Sequence, residues 1–349
     1  MNIVVLCGGT STEREVSLNS GSMVCDALRS IGHNAVLLDV FFGNENKNLL
    51  DVSDFDVQAE KEKLQKLSKD VDKVKKERKG FFGENVFEIC QQADIVFMAL
   101  HGANGEDGKC QAAFDLQGIK YTGDGSVASA LAMDKSITKQ IFMAQNVSTP
   151  KGIWIKKGES TNLSDYGMKI PVVVKASNGG SSVGVVIVKD EKDYDAALKE
   201  CFALEDTIVI EEFVEGREFS VGVVDGKALP IVEIIPKTGW YDYKNKYLPG
   251  ATEDVCPAQI NEELTKKMQK LAEEACKALG IVTYSRADVL MKKDGSMYCI
   301  EVNTLPGMTV TSLVPQEARA MVMEFPQLCE HLINVSMKKY KKKLRRKLS

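Results

Sequence analysis

Two carboxylates and a carboxamide, Asp288, Glu301 and Asn303, lie on two apolar-rich runs separated by Asp294-Gly295. Asp-Gly is a strong hairpin signal and the flanking runs, 287–291 and 297–302, are strand-like, so they should pair. Side chains alternate every second residue, so Arg286 and Asp288 share a face, as do Glu301 and Asn303. Three oxygen donors gathered there suit a hard cation such as magnesium, which commonly completes its octahedron with water and nucleotide phosphate. The same residues admit a plainer reading, in which Asp288 forms a structural ion pair with Arg286 and Glu301 faces solvent. Just downstream, Asn303-Thr-Leu-Pro-Gly-Met-Thr309 enters a turn whose N–H groups could be aimed at a developing oxyanion.

Phosphate binding has a separate candidate. Neither G-x-x-x-x-G-K-[ST] nor a helix-opening G-x-G-x-x-G is present. Ser177-Asn-Gly-Gly-Ser-Ser-Val-Gly184 lies between two strand-like runs, and its glycines would let backbone N–H groups approach phosphate. An ordinary hairpin loop would look the same. Lys175 ends the strand feeding this loop and Lys135 follows an alanine-rich run, so two lysines could converge on phosphate or simply be surface charge. His101 opens the glycine-rich loop 101–108 directly after a strand, a common place for substrate-binding groups in α/β folds.

These residues need a scaffold. Residues 3–6, 36–40 and 95–100 read as buried strands, and residues 16–31 follow helical spacing up to Gly32, which makes an open α/β layer. Charged residues dominate 60–79, with Leu64, Leu67, Val71 and Val74 at three- and four-residue spacing, the pattern of a surface helix. From Asp124 onward short strands broken by glycine, 172–175, 183–188, 208–213 and 219–224, predict a mixed, largely antiparallel region. Asn261 can cap a helix running to Leu279, ended by Gly280. The basic run 338–347 reads as a solvated terminus, and Trp154 and Trp240 as packing aromatics.

At 349 residues the chain should form two or three domains with a site between them. A net charge of −4 and the lack of an aromatic-studded basic surface argue against nucleic acid. Nine scattered cysteines without a C-x-x-C pair read as reduced thiols, and no apolar run is long enough to span a bilayer. No leader is evident, so a cytoplasmic protein without stable membrane insertion is expected.

Four motifs together resemble the D-alanine–D-alanine ligase family of the ATP-grasp superfamily. They are Gly8-Gly9-Thr-Ser-Thr-Glu-Arg-Glu-Val-Ser-Leu18, the loop from His101 to Gly108, Tyr241-Asp-Tyr-Lys-Asn-Lys-Tyr247 and Glu301-Val-Asn303-Thr-Leu-Pro-Gly-Met. They occur in the family's order, and with Leu313 they cover nearly the whole chain. The resemblance implies an α/β ATP-grasp fold of three domains: an open α/β substrate-side domain at 1–123, a central domain at 124–215, and a C-terminal domain at 216–349. The latter two would sandwich ATP.

By the same resemblance, Lys135, Lys175 and Ser182 would contact the ATP phosphates. Glu211, Glu212 and Val214 would line the adenine pocket, and Glu218 would hold the ribose. Asp288, Glu301 and Asn303 would bind two magnesium ions, with manganese as an alternative. Glu13 would hold the ammonium of the first D-alanine and be tied through Ser181 to Tyr247 on a closing loop. His101 would lie beside that substrate, and Lys246 near the transferred phosphate. Arg286, assigned to catalysis rather than to an ion pair, would form the oxyanion site with Gly307, while Ser312 and Leu313 receive the second D-alanine. The implied reaction passes through an acyl phosphate to D-alanyl-D-alanine, for peptidoglycan, in a homodimer.

Rival readings are a sister ligase that uses D-serine or D-lactate, another ATP-grasp carboxylase, and a non-catalytic nucleotide-binding paralogue. The Tyr241 to Tyr247 pattern goes with dipeptide synthesis in the family and disfavours the lactate version. The Glu13 and His101 motifs disfavour the carboxylase. Retention of Arg286, Asp288, Glu301 and Asn303 together disfavours the paralogue.

Overall fold

Ile3 to Leu6 are fully buried in β1 (Asn2–Cys7), as expected of a strand covered on both faces. In this computed structural model, which describes every residue except 181, 241–244, 246, 247, 249, 348 and 349, that strand is the centre of the first of three sheets. It runs parallel to β2 (Asn34–Asp39) and to β3 (Ile95–Met98). Helix α1 (Arg14–Ser30) packs over β1 and β2, so the turn at Gly8-Gly9 and the start of α1 stand at the carboxyl end of this sheet.

The charged stretch forms α2 (Val57–Leu67) and α3 (Val71–Glu77). It is more than a solvated face. Leu64 is buried, Leu67, Val71 and Val74 pack against the N-terminal core, and Arg14 donates to Leu64 O at 3.2 Å and to Ser68 Oγ at 3.0 Å. Next come α4 (Val86–Gln92), α5 (Lys109–Gln117), α6 (Ser126–Met133) and α7 (Lys135–Ala144).

The second sheet is antiparallel, in the order β4-β7-β5-β6, from β4 (Gly152–Lys156), β5 (Val172–Ala176), β6 (Val185–Val188) and β7 (Thr207–Glu212), with α8 (Tyr194–Leu204) on one face. The third contains β8 (Arg217–Val224), β9 (Lys227–Ala228), β10 (Val232–Pro236) and β11 (Thr252–Val255). Beyond α9 (Glu262–Ala278) the chain adds β12 (Tyr284–Met291) and β13 (Met297–Asn303), giving the order β11-β10-β8-β12-β13 with β9 beside β8. Asn261 Oδ1 accepts from Leu264 N at 2.8 Å at the start of α9, the expected cap, and Gly280 follows its end at φ +74°.

The chain ends in α10 (Leu313–Ala320) and α11 (Phe325–Lys347). Here the expectation of a solvated terminus is corrected for residues 338–340. Lys338 pairs with Asp225, Lys339 donates to Gly123 O and lies 3.7 Å from the Tyr121 ring centroid, and Tyr340 is bonded to the Tyr121 backbone. Leu328, Leu332 and Ile333 carry the helix into the N-terminal core, and residues 338–340 continue that packing. Trp154 is corrected too: it is 38% exposed, on the outer side of β4. All nine cysteines are free, and all but Cys256 are buried. Among the described residues no helix is long and apolar enough to cross a membrane.

Candidate active site

Strands β12 and β13 pair as the sequence predicts, with Arg286 opposite Asn303 and Asp288 opposite Glu301. The four polar groups share one face by ordinary alternation, and a bulge after Asp288 shifts the register so that Cys299 turns with Val289 into the core. Arg286 donates to both Asp288 oxygens at 2.8 Å, and Asn303 Nδ2 reaches Asp288 Oδ2 at 3.1 Å. The assignment of Arg286 away from an ion pair is thereby corrected. Residues two apart on one strand face bring the guanidinium fork onto the carboxylate, a bidentate and nearly buried pair. The pair engages two guanidinium N–H groups and both oxygens of the carboxylate.

Among the described residues no three His, Cys, Asp or Glu side chains converge as a metal-binding group. The set at the hairpin is two carboxylates and an amide oxygen. It fits a hard cation that takes its remaining ligands from phosphate and water.

A cleft of about 680 Å³ opens between the second and third sheets. Val173 and Ile187 form one apolar wall, Leu290 and Ile300 the other. Lys135, Lys175, Ser182, Glu211, Glu212, Val214 and Glu218 all line it, as does Trp240, whose reading as a packing aromatic is corrected accordingly. Asp134 caps α7 and accepts from Ser177 Oγ at 2.6 Å, which stitches the 177–184 loop to the helix bearing Lys135. Lys135 Nζ in turn donates to Gly179 O at 2.6 Å.

Glu211 is committed to two lysines, with Lys175 Nζ at 2.6 Å and Lys139 Nζ at 2.8 Å. Burial works against its charge, but the lysines prevail and hold the carboxyl below its ordinary range. Burial likewise opposes charge on Lys175, and Glu211 outweighs it to raise that pKa. In Lys139 burial wins and the pKa falls. Lys139 was not singled out in the sequence, where it is one more polar residue on an amphipathic helix.

A second cleft of about 360 Å³ is lined by Glu13, His101, Arg286, Asn303, Gly307, Ser312 and Leu313. Glu301 and Gly180 line both clefts. A Cβ on Gly102, at φ +70°, would stand 2.8 Å from Glu13 Oε2, and one on Gly180 would stand 3.1 Å away. Glycine on both loops thus makes room for the Glu13 carboxylate. His101 is buried with Nδ1 3.2 Å from Leu305 O and Nε2 3.1 Å from Ser20 Oγ. The carbonyl requires the proton on Nδ1, so Nε2 accepts from the serine. Burial lowers the His101 pKa, against the pull of Glu13, so the ring is neutral. Ser312 Oγ accepts from Thr309 N at 3.0 Å and closes the 307–312 turn.

Glu106 was within the quoted 101–108 loop but had no role assigned. It lines the second cleft and accepts from Gly102 N at 2.7 Å. Burial and then Glu13 push its carboxyl up to about 8. Asp254 also lines this cleft, from a polar edge strand that offers little sequence signal. Ser181, Lys246 and Tyr247 lie outside the described residues.

The family models described as D-ala D-ala ligase N-terminus and C-terminus match residues 2–124 and 144–334. A D-alanine–D-alanine ligase from Pediococcus pentosaceus is 43% identical, covering 97% of this chain and 99% of its own. The chain belongs to the D-alanine–D-alanine ligase family. Its fold is accordingly ATP-grasp, with two of its three sheets enclosing the larger cleft. The solved structure of a D-alanine–D-alanine ligase from Bacillus anthracis complexed with ATP is similar at TM-score 0.75 and 29% identity, over 98% of this chain and 99% of that one. The VanG D-Ala:D-Ser ligase from Enterococcus faecalis is similar at TM-score 0.74 and 27% identity, over 96% and 100%.

Proposed function

We propose that this protein uses ATP to join two molecules of D-alanine into D-alanyl-D-alanine for peptidoglycan synthesis, releasing ADP and phosphate. The junction at Glu301 and Gly180, shared by both clefts, carries this reading. A phosphate beside Lys135 and Lys175 would there adjoin a carboxylate in the second cleft. Residues 1–123, 124–215 and 216–349 serve as the three domains.

Lys135, Lys175 and Ser182 are assigned to the triphosphate, Glu212 and Val214 to the adenine end, Glu218 to the ribose, and Glu211 to holding Lys175. Asp288, Glu301 and Asn303 would hold two magnesium ions, or manganese. The bound cations would offset repulsion between a carboxylate and a polyanionic triphosphate. Glu13 binds the ammonium of the first D-alanine, and neutral His101 packs beside it without adding competing charge. The carboxylate of that D-alanine attacks the terminal phosphorus, the bond to ADP breaks, and an acyl phosphate forms. Ser312 and Leu313 receive the second D-alanine, whose free amine attacks the acyl carbon. Arg286 and Gly307 N–H stabilise the oxyanion until phosphate leaves.

Phosphate release with D-alanine as the sole amino acid tests the reaction. Supplying D-alanine, D-serine and D-lactate together, with product masses measured, separates the dipeptide from its serine and lactate counterparts. Release that does not depend on D-alanine would sink the proposal. A cytoplasmic homodimer completes the reading, and light scattering on the purified protein checks the dimer.

A further inference from the structure

Glu317, in the middle of α10, is fully buried. Its Oε2 accepts from Gly222 N at 2.7 Å and its Oε1 lies 3.3 Å from Ser220 Oγ. Those two β8 residues are the register partners of Arg286 and Asp288 in β12. On the other side of β8, pairing with β10 begins at Ser220 and pairing with β9 ends at Val223, which leaves Gly222 in the gap between them. Glu317 supplies there the acceptor that a ladder carbonyl would provide. The fit depends on glycine, because a Cβ at residue 222 would stand 2.2 Å from Glu317 Oε2. Burial drives this carboxyl well above its ordinary range, against the Gly222 N–H and Arg286. Ser220 Oγ donates to Oε1 and Gly222 N to Oε2, so β8 holds both oxygens of the carboxyl group.

Helix α10 begins directly after Ser312, and Glu317 lies one turn beyond Leu313. We propose that Glu317 is a positioning residue that, together with Gly222, locks the start of α10 in register with Arg286, so that the second amino acid meets the oxyanion group in line. This rests on the assignment of Ser312 and Leu313 to the second D-alanine made above. Glu317 itself lines neither cleft, and it acts through the helix.

The test is a cycle of Glu317→Ala, Gly222→Ala and the double variant, with Glu317→Gln as the conservative replacement. ADP release is measured against D-alanine, fitted with separate constants for the two amino-acid sites, and against ATP. Each alanine variant is expected to raise the second-site KM about tenfold, the factor expected when a buried N–H loses its partner or the carboxylate is displaced. The ATP KM should stay within about twofold. Gln keeps both bonds and should behave as the parent. In the double variant the new methyl occupies the space vacated by the carboxylate, so its KM should fall well below the product of the single effects. Multiplicative single effects, or an equal rise in every KM, overturn the proposal. If either single variant fails to fold, recovery of folding and of second-site KM in the double variant supports the lock, and a double variant no better than the singles overturns it. Ser312→Ala separates the two levels: an unchanged second-site KM there defeats the acceptor assignment itself.

Discussion

The two clefts share Glu301 but are made in opposite ways. The larger is walled by strands of two sheets, and its buried Glu211 sits between Lys139 and Lys175. The smaller is assembled from the start of α1, the 101–108 loop, β11, the hairpin and the turn before α10, and it crowds Glu106 against Glu13. Strand register thus builds a cleft whose buried lysines are held by a carboxylate on a neighbouring strand. The smaller, gathered from loops, a strand edge and the hairpin, sets Glu13, Glu106, Asp254 and Glu301 around Arg286, an arrangement suited to a ligand that brings an ammonium.

Breaking the Glu211 cluster should therefore cost stability first. Glu211→Ala leaves two buried lysines without their carboxylate, and loss of one partner from such a pair costs about 3–5 kcal/mol. Urea unfolding measures it, and a loss below about 1 kcal/mol would mean that the lysines find water or another acceptor. Arg286→Ala strikes where the clefts meet. Turnover should fall about 10²–10³-fold, as for loss of one oxyanion donor, while nucleotide affinity changes far less. Near-normal turnover would remove Arg286 from the chemistry and leave only its pair with Asp288.

What could be read beforehand follows the same division. The hairpin was legible because a two-residue period and an Asp-Gly turn fix which side chains share a face, and β12 and β13 obey both. The helix after Asn261 was legible through its cap and apolar stripe. Strands β4, β10 and β11 escaped: β11 is a polar edge strand, and β10 ends on Pro236. The packing of 338–340 against Tyr121 and Gly123 is a contact across more than 200 residues of sequence, to which a lysine-rich string gives no clue. The Arg286 and Asp288 pair stood beside a metal site as a second reading, and spacing alone could not show the bidentate fork. Glu106 needed the fold to reveal how closely its loop meets Glu13.

Gly102→Ala sharpens the comparison from the loop side. A methyl at φ +70° is strained by about 1–2 kcal/mol and would displace the Glu13 carboxylate. The expected result is a roughly tenfold higher KM at the first amino-acid site with the ATP KM unchanged. Equal effects on both would show that the clefts are less independent than their construction implies.

The last test addresses the crowded carboxylates of the smaller cleft themselves. Glu106 is raised from 4.5 to about 8 by burial and by Glu13, so between those pH values the folded protein holds a proton that the unfolded chain has released. That contribution to stability is complete below 4.5, declines as pH rises, and is lost once pH passes about 8. Glu106→Gln, which keeps an acceptor for Gly102 N, should flatten the decline, seen by comparing urea midpoints of both proteins at about pH 5 and pH 8. The larger cleft offers the control: Glu211 is held below its ordinary range, so its titration falls on the acid side of this window. A slope that survives in Glu106→Gln would place the proton on another group and remove the charge conflict that distinguishes the two clefts.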